Sequence, residues 1–321
     1  MSSLPNREVR QFERVLITGA SGLTGRHLVE YIRSKATTKL FGFGLGNSIA
    51  PSGCEMLQGD ITLKNDIDTA VKYSQPDCII HLAGVLGFAS YQKIFDVNVL
   101  GTLHLLEAVR LNQLSATPIV LIVGSSAIYG AVSPDQLPII EETPLKPLSH
   151  YGVSKVAQHS IGLQYYLNWQ IPIIRVHPFN LVGPGQSSDL LCGSLVEQFI
   201  AIERGQRPPV LSLGNLSPQR DFLDVRDAVR AYWSLVSEGV AGQVYNAGSG
   251  VAYSVQDIVN LLQELSGIKV KIQQKDSRKR GIDVPIQIGD STKLREATGW
   301  RPNITLRDSL NDMLQWQRAA S

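Results

Sequence analysis

The sequence predicts an α/β fold in which helices cover a doubly wound parallel sheet, with a smaller α/β C-terminal lobe. Short apolar runs alternate with longer amphipathic stretches over the first 180 residues, and more loop-rich sequence follows them. The length of 321 residues also suits two domains of roughly 150 residues each. We therefore expect a first domain over residues 1–180 and a second over residues 181–321.

The first domain shows five buried strands and four helices in its hydrophobic pattern. The strands are predicted at residues 15–18, 40–43, 78–82, 119–123 and 171–176, and the helices at residues 24–34, 64–73, 89–112 and 151–169. This alternation implies parallel strands joined by helices. Ligands bind such sheets at the C-terminal edge of the strands.

The second domain is predicted to contain helices at residues 190–204, 225–237, 255–265 and 305–315. No long linker rich in glycine, serine or proline separates the two domains, so we expect them to share a cleft that suits a small molecule. Parts of residues 220–250 are expected to return to the sheet of the first domain.

Composition excludes several classes of protein. Hydrophobic residues make up 43% of the chain and charged residues 18%, which is typical of a globular protein and excludes disorder, collagen and coiled coil. Thirty Lys and Arg against 28 Asp and Glu leave a formal charge of +2. That charge is too small to predict binding to nucleic acid or to an anionic membrane.

The cysteines and the N-terminus favour a cytoplasmic protein. Cys54, Cys78 and Cys192 have neither the spacing of metal ligands nor the even number of a disulfide framework, so we expect a reducing compartment and no metal. No apolar stretch reaches the roughly 18 residues that a membrane span requires, and the N-terminus is charged where a secretion signal is apolar.

A glycine-rich turn after the first strand predicts a dinucleotide site of the Rossmann type. Residues 19–25 read Gly-Ala-Ser-Gly-Leu-Thr-Gly and join the first strand to the first helix. Glycines at these positions let the backbone approach a pyrophosphate, whose charge is favoured by the free N–H groups of the helix N-terminus. A turn kept only for packing is the alternative interpretation.

The residues around the second predicted strand help to distinguish an NADP site from an NAD site. An NAD site usually has an acidic residue about 20 residues after the glycine turn. No Asp or Glu lies between Tyr31 and Cys54, and the polar Asn47 after the second strand leaves room for a 2′-phosphate. The sequence therefore favours NADP over NAD, although no Arg follows the strand to pair with that phosphate.

Further cofactor contacts are expected along the same edge of the sheet. Asp60 follows a further short strand that is not among the five above. Counting it as the third, the strand at residues 78–82 is the fourth and is followed by Ala83 and Gly84, and the strand at residues 119–123 is the fifth. The predicted cofactor-binding residues are Gly19, Ser21, Gly22, Leu23, Thr24, Gly25, Asn47, Asp60, Ile61, Leu82, Ala83, Gly84, Asn98, Tyr151, Lys155 and Pro178.

Three residues around the fifth strand form a candidate catalytic group. Ser125 follows that strand, and Tyr151 and Lys155 lie four residues apart on one face of the next helix. A nearby cation lowers the pKa of a phenol, so Lys155 is expected to make Tyr151 a proton donor and acceptor while Ser125 binds the substrate oxygen. A chance pair on a surface helix is the alternative, which the glycine turn upstream disfavours.

These motifs together resemble the extended short-chain dehydrogenases/reductases, a family of nucleotide-sugar epimerases, dehydratases and reductases. The resemblance also includes Arg220-Asp221-Phe222 and extends over about residues 14–316. It implies an NAD(P)-dependent oxidoreductase in which Ser125 binds the substrate oxygen, Tyr151 is the general acid/base, and Lys155 tunes the phenol and binds the nicotinamide ribose. It also implies a homodimer packed through the helices predicted at residues 89–112 and 151–169.

The residue at position 127 reduces the number of reactions that the resemblance allows. Dehydratases of this family have an acidic residue two positions after the catalytic Ser or Thr, where it helps to remove water from the sugar. This chain has Ala127, which cannot transfer a proton. The resemblance therefore implies a reductase or a 4-epimerase.

The second domain resembles that of the GDP-4-dehydro-6-deoxy-D-mannose reductases. The similar stretches are residues 178–186, 214–216, 220–227, 245–250, 283–285 and 289–290. The predicted substrate-binding residues are Ser126, Asn180, Arg220, Arg280 and Asp283, because guanidinium groups bind diphosphates well and the other side chains offer polar contacts to sugar or ribose.

Other interpretations of this region remain open. Arg220 could form a structural salt bridge with Asp221 or Asp224, and Arg280 could lie in a solvated loop. His177 stands where these reductases usually have Arg, and we interpret it as a structural residue because Tyr151 already fills the role of base.

We therefore expect NAD(P)H-dependent reduction of the C4 keto group of a GDP-linked 4-keto-6-deoxyhexose, with Tyr151 protonating the alkoxide. One alternative is a 4-epimerase that holds NAD tightly and acts on a UDP- or GDP-hexose. The other is a non-catalytic dinucleotide sensor of the same fold, which the presence of both Tyr151 and Lys155 disfavours.

Overall fold

Seven parallel strands form the central sheet of the structure, a computed structural model that describes residues 9–46, 50–274 and 284–319. In chain order the strands are β1 (Arg14–Thr18), β2 (Lys39–Gly44), β3 (Glu55–Gln58), β4 (Cys78–His81), β5 (Ile119–Val123), β6 (Ile173–Pro178), β7 (Asn180–Val182), β8 (Val210–Leu213), β9 (Gln219–Asp224), β10 (Val244–Ala247), β11 (Ala252–Ser254), β12 (Lys271–Gln274) and β13 (Ile286–Gln287). The central sheet has the order β10-β6-β5-β4-β1-β2-β3. Because the direction of winding reverses at β1, this order confirms the predicted doubly wound α/β fold.

Helices cover both faces of this sheet. They are α1 (Leu23–Lys35), α2 (Lys64–Ser74), α3 (Tyr91–Phe95), α4 (Gly101–Leu111), α5 (His150–Trp169), α6 (Leu191–Glu203), α7 (Val225–Glu238), α8 (Val255–Ser266), α9 (Thr292–Thr298) and α10 (Leu306–Ala319). Helices α1 and α7 pack on one face, and α2, α4 and α5 pack on the other. Side chains of a strand alternate between faces, so Ile17 joins the first core and Leu16 the second. A separate apolar core therefore covers each face of the sheet.

The helix predicted over residues 89–112 is not continuous. It begins at Tyr91, and a π-helical turn over Asp96–Leu100 separates α3 from α4. The wide turn carries Asn98, whose buried amide donates to Ser154 Oγ at 3.0 Å and to the carbonyl oxygen of Val85 at 3.2 Å. Such turns are frequent at functional sites, and periodicity alone does not reveal them.

The rest of the chain builds a second, smaller assembly. Strands β11, β9 and β13 form a sheet, β7 pairs with β9, and β12 pairs with β8. Helices α6, α8 and α10 enclose a separate apolar core beside them. Helix α7 and strand β10, which follow β9, lie with α1 and β6 of the central sheet. The division of the chain into two domains at residue 180 stays a proposal.

A buried carboxylate joins the smaller sheet to the central one. Asp221 on β9 accepts hydrogen bonds from the backbone N–H groups of Ser249 (2.8 Å), Gly250 (3.0 Å) and Gly289 (3.2 Å). Ser249 and Gly250 belong to the loop that follows β10, and Gly289 follows β13. The carboxylate therefore joins β9 to two other segments, the loop after β10 and the segment after β13.

Replacing Asp221 with Asn should lower the free energy of unfolding by about 3 kcal/mol, because an amide NH2 would face backbone donors and leave a buried N–H group without an acceptor. Urea denaturation followed by circular dichroism measures this change. Asp189→Asn, at an exposed position, is the matched control and should change stability by less than about 0.5 kcal/mol. Equal stabilities of the two variants would contradict the proposed role of Asp221.

Candidate active site

The glycine turn between β1 and α1 is packed so closely that larger residues would collide with neighbouring backbone. Gly19 has a φ of +72°, and a Cβ atom added there would lie 2.9 Å from the backbone nitrogen of Ala83. A Cβ atom on Gly25 would collide with the backbone of Gly19 and Ala20. Helix α1 begins after Gly22 with no side-chain cap and no acidic residue in its first turn. Its N–H groups are thus available to a phosphate, which is what a dinucleotide requires.

The ends of β1 and β4 meet beside this turn. Thr18 accepts hydrogen bonds from the backbone N–H groups of Leu82, at its carbonyl oxygen (3.1 Å), and of Ala83, at its hydroxyl (3.1 Å). The next residue, Gly84, lies beside the catalytic candidates, because a Cβ atom there would be 3.5 Å from Lys155 Nζ. The structure therefore brings the glycine turn, residues 82–84 and Lys155 to one edge of the sheet.

The other predicted cofactor residues are more widely distributed. Asp60 lies after β3, where its carboxylate accepts from the N–H (2.9 Å) and hydroxyl (2.8 Å) of Thr62, and Ile61 packs against Gly101. Pro178 is the buried last residue of β6. Asn47 lies outside the described residues. The predicted cofactor residues that lie in the glycine turn or the first turn of α1 are Gly19, Ser21, Gly22, Leu23, Thr24 and Gly25.

Ser125, Tyr151 and Lys155 lie together at the end of β5. The side chains of Ser125 and Tyr151 are hydrogen-bonded to each other. Lys155 Nζ lies 5.9 Å from the centre of the Tyr151 ring. Ser149 caps α5 by accepting from the N–H group of Gly152 at 3.0 Å, so the helix begins just before the tyrosine. The spacing seen in the sequence thus becomes a compact group of three side chains.

Burial shifts the pKa values of Tyr151 and Lys155, which the sequence alone did not predict. Burial raises the pKa of Tyr151 above its ordinary value, and the hydrogen bond with Ser125 reduces that rise. Burial also lowers the pKa of Lys155 to about 8. Loss of solvation is thus the largest influence on the pKa of Tyr151, and that Lys155 favours the phenolate stays a prediction. A neutral Tyr151 carries the proton that a reduction consumes.

A chain of hydrogen bonds lies behind Ser125 and was not predicted from the sequence. His177 is 1% exposed and packs under Gly124. Its Nε2 lies 3.1 Å from His159 Nδ1, and its Nδ1 lies 3.1 Å from the hydroxyl of Tyr129. Tyr129 donates to Asn246 Oδ1 at 2.8 Å, and Arg175 Nη1 lies 2.9 Å from His159 Nε2. We call these five residues the histidine chain.

The direction of the histidine chain follows from its first member. A guanidinium can only donate, so His159 Nε2 must accept and His159 Nδ1–H must donate to His177. His177 Nδ1–H then donates to Tyr129, whose own proton goes to Asn246. Burial lowers the pKa of His159 to about 4 and that of His177 well below its ordinary value, so both rings are neutral. This environment agrees with the interpretation of His177 as a structural residue.

The predicted substrate residues lie around the smaller sheet. Asn180 Nδ2 donates to the carbonyl oxygen of Asp221 at 3.1 Å, and Arg220 Nη1 donates to the carbonyl oxygen of Val284 at 2.6 Å. Asp221 binds the loop N–H groups described above, whereas Asp224 pairs with Arg226 at 2.9 Å. Both carboxylates proposed as structural partners of Arg220 thus have other partners. Arg280 and Asp283 lie outside the described residues.

Ser126 is held by a residue that the sequence did not point to. Its hydroxyl is 3.4 Å from Gln287 Oε1, and its carbonyl oxygen accepts from Gln287 Nε2 at 3.0 Å. Gln287 on β13 lies in register with Arg220 on β9. Ser126 is only 4% exposed, and through Gln287 it connects the turn that carries Ser125 to the smaller sheet. No local pattern marks Gln287, because the contact joins residues 161 positions apart.

Comparisons with known proteins agree with this architecture. The family model described as GDP-mannose 4,6 dehydratase matches residues 16–313. GDP-6-deoxy-D-mannose reductase of Pseudomonas aeruginosa is 33% identical over 312 residues, which cover 95% of this chain and 97% of that protein. GDP-6-deoxy-D-talose 4-dehydrogenase of Aggregatibacter actinomycetemcomitans is 30% identical over 289 residues, with 89% and 91% covered.

A solved structure is similar over the same extent. The structure of RMD from Pseudomonas aeruginosa complexed with NADPH superposes with a TM-score of 0.84 at 30% identity. The match covers 96% of this chain and 100% of that one. Similarity therefore extends through both the central sheet and the smaller assembly.

His159→Gln should reduce the loss of stability that acid causes. The folded-state pKa of His159, about 4, is below the unfolded value of about 6.5, so the unfolded chain binds more protons between these values and stability falls as pH falls. A glutamine can accept from Arg175 and donate to His177 without titrating. We expect the decrease in unfolding free energy from pH 7 to pH 4.5 to shrink by about 1–2 kcal/mol, because His159 is partly accessible to solvent.

Chemical denaturation at a series of pH values measures this effect. The matched control is His150→Gln, in which the replaced histidine is exposed at the start of α5. A pH dependence in His159→Gln that equals that of the unmodified chain would show that His159 is not held neutral.

Proposed function

This chain belongs to the GDP-mannose 4,6-dehydratase family of NAD(P)-dependent extended short-chain dehydrogenases/reductases, and we propose that it reduces the C4 keto group of a GDP-linked 4-keto-6-deoxyhexose. Its activity is of the nucleotide-sugar reductase or epimerase type. The observation that carries the specific proposal is a half-buried, neutral Tyr151 bonded to Ser125, in a chain 33% identical to a GDP-6-deoxy-D-mannose reductase. Ala127 supports reduction over dehydration, since it places no acid beside Ser125.

The residues at the edge of the sheet fit a dinucleotide cofactor. The crowding at Gly19 and Gly25 and the uncapped start of α1 suit a pyrophosphate, and Lys155 suits the nicotinamide ribose. When bound, the reduced nicotinamide supplies the hydride. We propose NADPH over NADH, because β2 ends without an acidic residue and a related structure contains NADPH.

Each of the three catalytic candidates has a separate role at the substrate oxygen. Ser125 donates a hydrogen bond to the carbonyl oxygen, which polarises the C4 carbonyl as negative charge develops there. Tyr151 transfers its proton to that oxygen, so the product is an alcohol and the tyrosine becomes a phenolate. The ammonium of Lys155, one helical turn away, stabilises the phenolate until a proton from solvent replaces the one lost.

We propose that Asn180 and Arg220 hold the nucleotide-sugar. Both side chains are partly exposed on neighbouring strands of the smaller sheet, and Arg220 can bind the diphosphate through guanidinium donors. Arg280 and Asp283 stay predictions for the same role. Ser126 is proposed to act through its contact with Gln287, which orients the turn that carries Ser125.

The assembly and location of the protein remain proposals. We propose a homodimer packed through α4 and α5, on which Leu111, Val153, Leu167 and Trp169 are exposed. We also propose a cytoplasmic location, in which the three buried cysteines stay reduced. Of the helices that the structure describes, none has both the length and the apolar character of a membrane-spanning helix.

A 4-epimerase is the second candidate. A curated relative from Methanocaldococcus jannaschii, 26% identical over 317 residues, is a putative UDP-glucose 4-epimerase. An epimerase must return the hydride to the same sugar, so it keeps its cofactor through the catalytic cycle. A reductase must exchange its cofactor in every turnover.

The purified chain should oxidise NADPH when GDP-4-keto-6-deoxymannose is added, and it should release cofactor on dialysis. Absorbance at 340 nm follows the reaction, and mass spectrometry identifies any nucleotide that remains bound. Absence of oxidation with both NADPH and NADH would reject the proposed reaction. Bound NAD that resists dialysis, together with interconversion of UDP-hexoses, would identify an epimerase.

Tyr151→Phe should lower kcat by a factor of about 10²–10⁴, because the proton donor is lost, while NADPH still binds. Steady-state kinetics and fluorescence titration with NADPH measure the two effects separately. Tyr73→Phe, which removes an exposed hydroxyl far from the site, is the matched control and should retain full activity. Comparable kcat values for the two variants would exclude Tyr151 as the proton donor.

A further inference from the structure

The ammonium of Lys155 is held by neutral groups in the protein interior. The residue is 5% exposed, and its Nζ donates to the carbonyl oxygen of Val123 at 3.2 Å and to Gln158 Oε1 at 2.8 Å. In the described part of the chain no carboxylate pairs with it. The titratable groups around it are Tyr151 on α5, His81 on β4 and His177 on β6.

An ammonium has three N–H donors, and two of them are used by Val123 and Gln158. Nζ also lies close to Gly84, at 3.5 Å from the position of an added Cβ atom. The third donor is thus available to Tyr151 or to a cofactor near residues 83 and 84. The direction of this third N–H bond depends on how firmly Val123 and Gln158 hold the other two.

Gln158 is itself held in one orientation. The side chain is fully buried, and its Nε2 donates to Thr102 Oγ1 at 2.9 Å. The single proton of the Thr102 hydroxyl goes to the carbonyl oxygen of Asn98 at 2.7 Å, so the other partners of Thr102 must be donors. The amide of Gln158 therefore turns its nitrogen to Thr102 and its oxygen to Lys155.

The same reasoning extends this set of hydrogen bonds to Thr18, which lies next to the glycine turn. His81 Nε2, 2.9 Å from Thr102 Oγ1, must carry a proton, so His81 Nδ1 accepts from the Thr18 hydroxyl at 2.7 Å. Thr18 Oγ1 in turn accepts from the N–H group of Ala83 at 3.1 Å. We call this set of hydrogen bonds, from Lys155 through Gln158, Thr102 and His81 to Thr18, the lysine chain.

We infer that Gln158 is a positioning residue that holds the Lys155 ammonium beside Tyr151 through a neutral acceptor and fixes it relative to residues 83 and 84. The inference rests on the proposed function, because it assigns the partner of a proposed catalytic residue. A neutral acceptor orients the ammonium but leaves its positive charge uncompensated. A carboxylate in the same place would neutralise that charge and weaken its effect on Tyr151 and on a bound phosphorylated cofactor.

The test compares Gln158→Glu and Gln158→Met with the unmodified chain. Glutamate keeps the acceptor and adds a charge, whereas methionine keeps the volume and removes the acceptor. Gln315→Glu is the matched control, since Gln315 lies on the exposed side of α10, outside the catalytic group and the helices of the proposed dimer. Thermal melts of all variants establish that each chain is folded before the comparison.

The first readout requires neither substrate nor cofactor. Competitive labelling of amines by acetic anhydride over a pH series, followed by peptide mass spectrometry, gives the pKa of Lys155 in the free protein. We expect a value near 8 for the unmodified chain and for Gln315→Glu, and an increase of about one unit or more in Gln158→Glu. An unchanged value in Gln158→Glu overturns the inference, whether or not the chain proves to be a reductase.

The second readout is the pH profile of kcat/KM for keto-sugar reduction. The alkaline limb should move to higher pH in Gln158→Glu, and kcat in Gln158→Met should fall about tenfold or more while KM for the sugar stays within about twofold, because the ammonium is no longer oriented. Full kcat in Gln158→Met overturns the inference. Failure of the unmodified chain to oxidise NADPH would instead reject the proposed function, and the labelling result would stand on its own.

Discussion

The burial of an unpaired positive charge is the constraint on which this site depends. Lys155 lies almost completely inside the protein, yet its partners are a backbone carbonyl and an amide oxygen. Burying an ammonium without a counter-charge is costly unless polar groups replace its hydration. The low pKa of the lysine is the direct result of that cost. The benefit is a full positive charge at a fixed distance from Tyr151, in surroundings where its field is weakly screened.

Two hydrogen-bonded chains support the catalytic group, and each has its direction set by a residue that can only donate. The lysine chain begins at Lys155 and ends at Thr18, next to the glycine turn, and the histidine chain begins at Arg175 and ends at Asn246. Because each hydroxyl in these chains has one proton, every histidine within them has a single tautomer. Burial lowers the pKa of His81, His159 and His177, so all three are neutral and orient the site without adding charge to it. These networks leave few alternative arrangements, and such order is what a catalytic geometry requires.

The smaller sheet is joined to this site by two buried polar contacts. Asp221 binds the loops after β10 and β13, and Gln287 binds the hydroxyl and the carbonyl oxygen of Ser126. The strand that carries Arg220 is therefore tied to the turn that carries Ser125. A ligand that bridges Arg220 and Ser125 would meet two elements with a fixed separation, which reduces the entropy lost on binding.

The sequence by itself determined the fold class, the glycine turn and the Ser125, Tyr151 and Lys155 group, because each depends on local patterns. Apolar periodicity marks the strands and helices, and spacing of four residues places Tyr151 and Lys155 on one helix face. Tertiary structure alone decided the partners of these residues. Gln158 lies one helical turn after Lys155, but the orientation of its amide depends on Thr102 in a distant segment. His159 and Gln287 have no local signature, since their contacts join segments that are distant in sequence. The break at Asp96–Leu100 and the raised pKa of Tyr151 likewise depend on burial, which arises only when the sheet, the helices and the smaller assembly pack together.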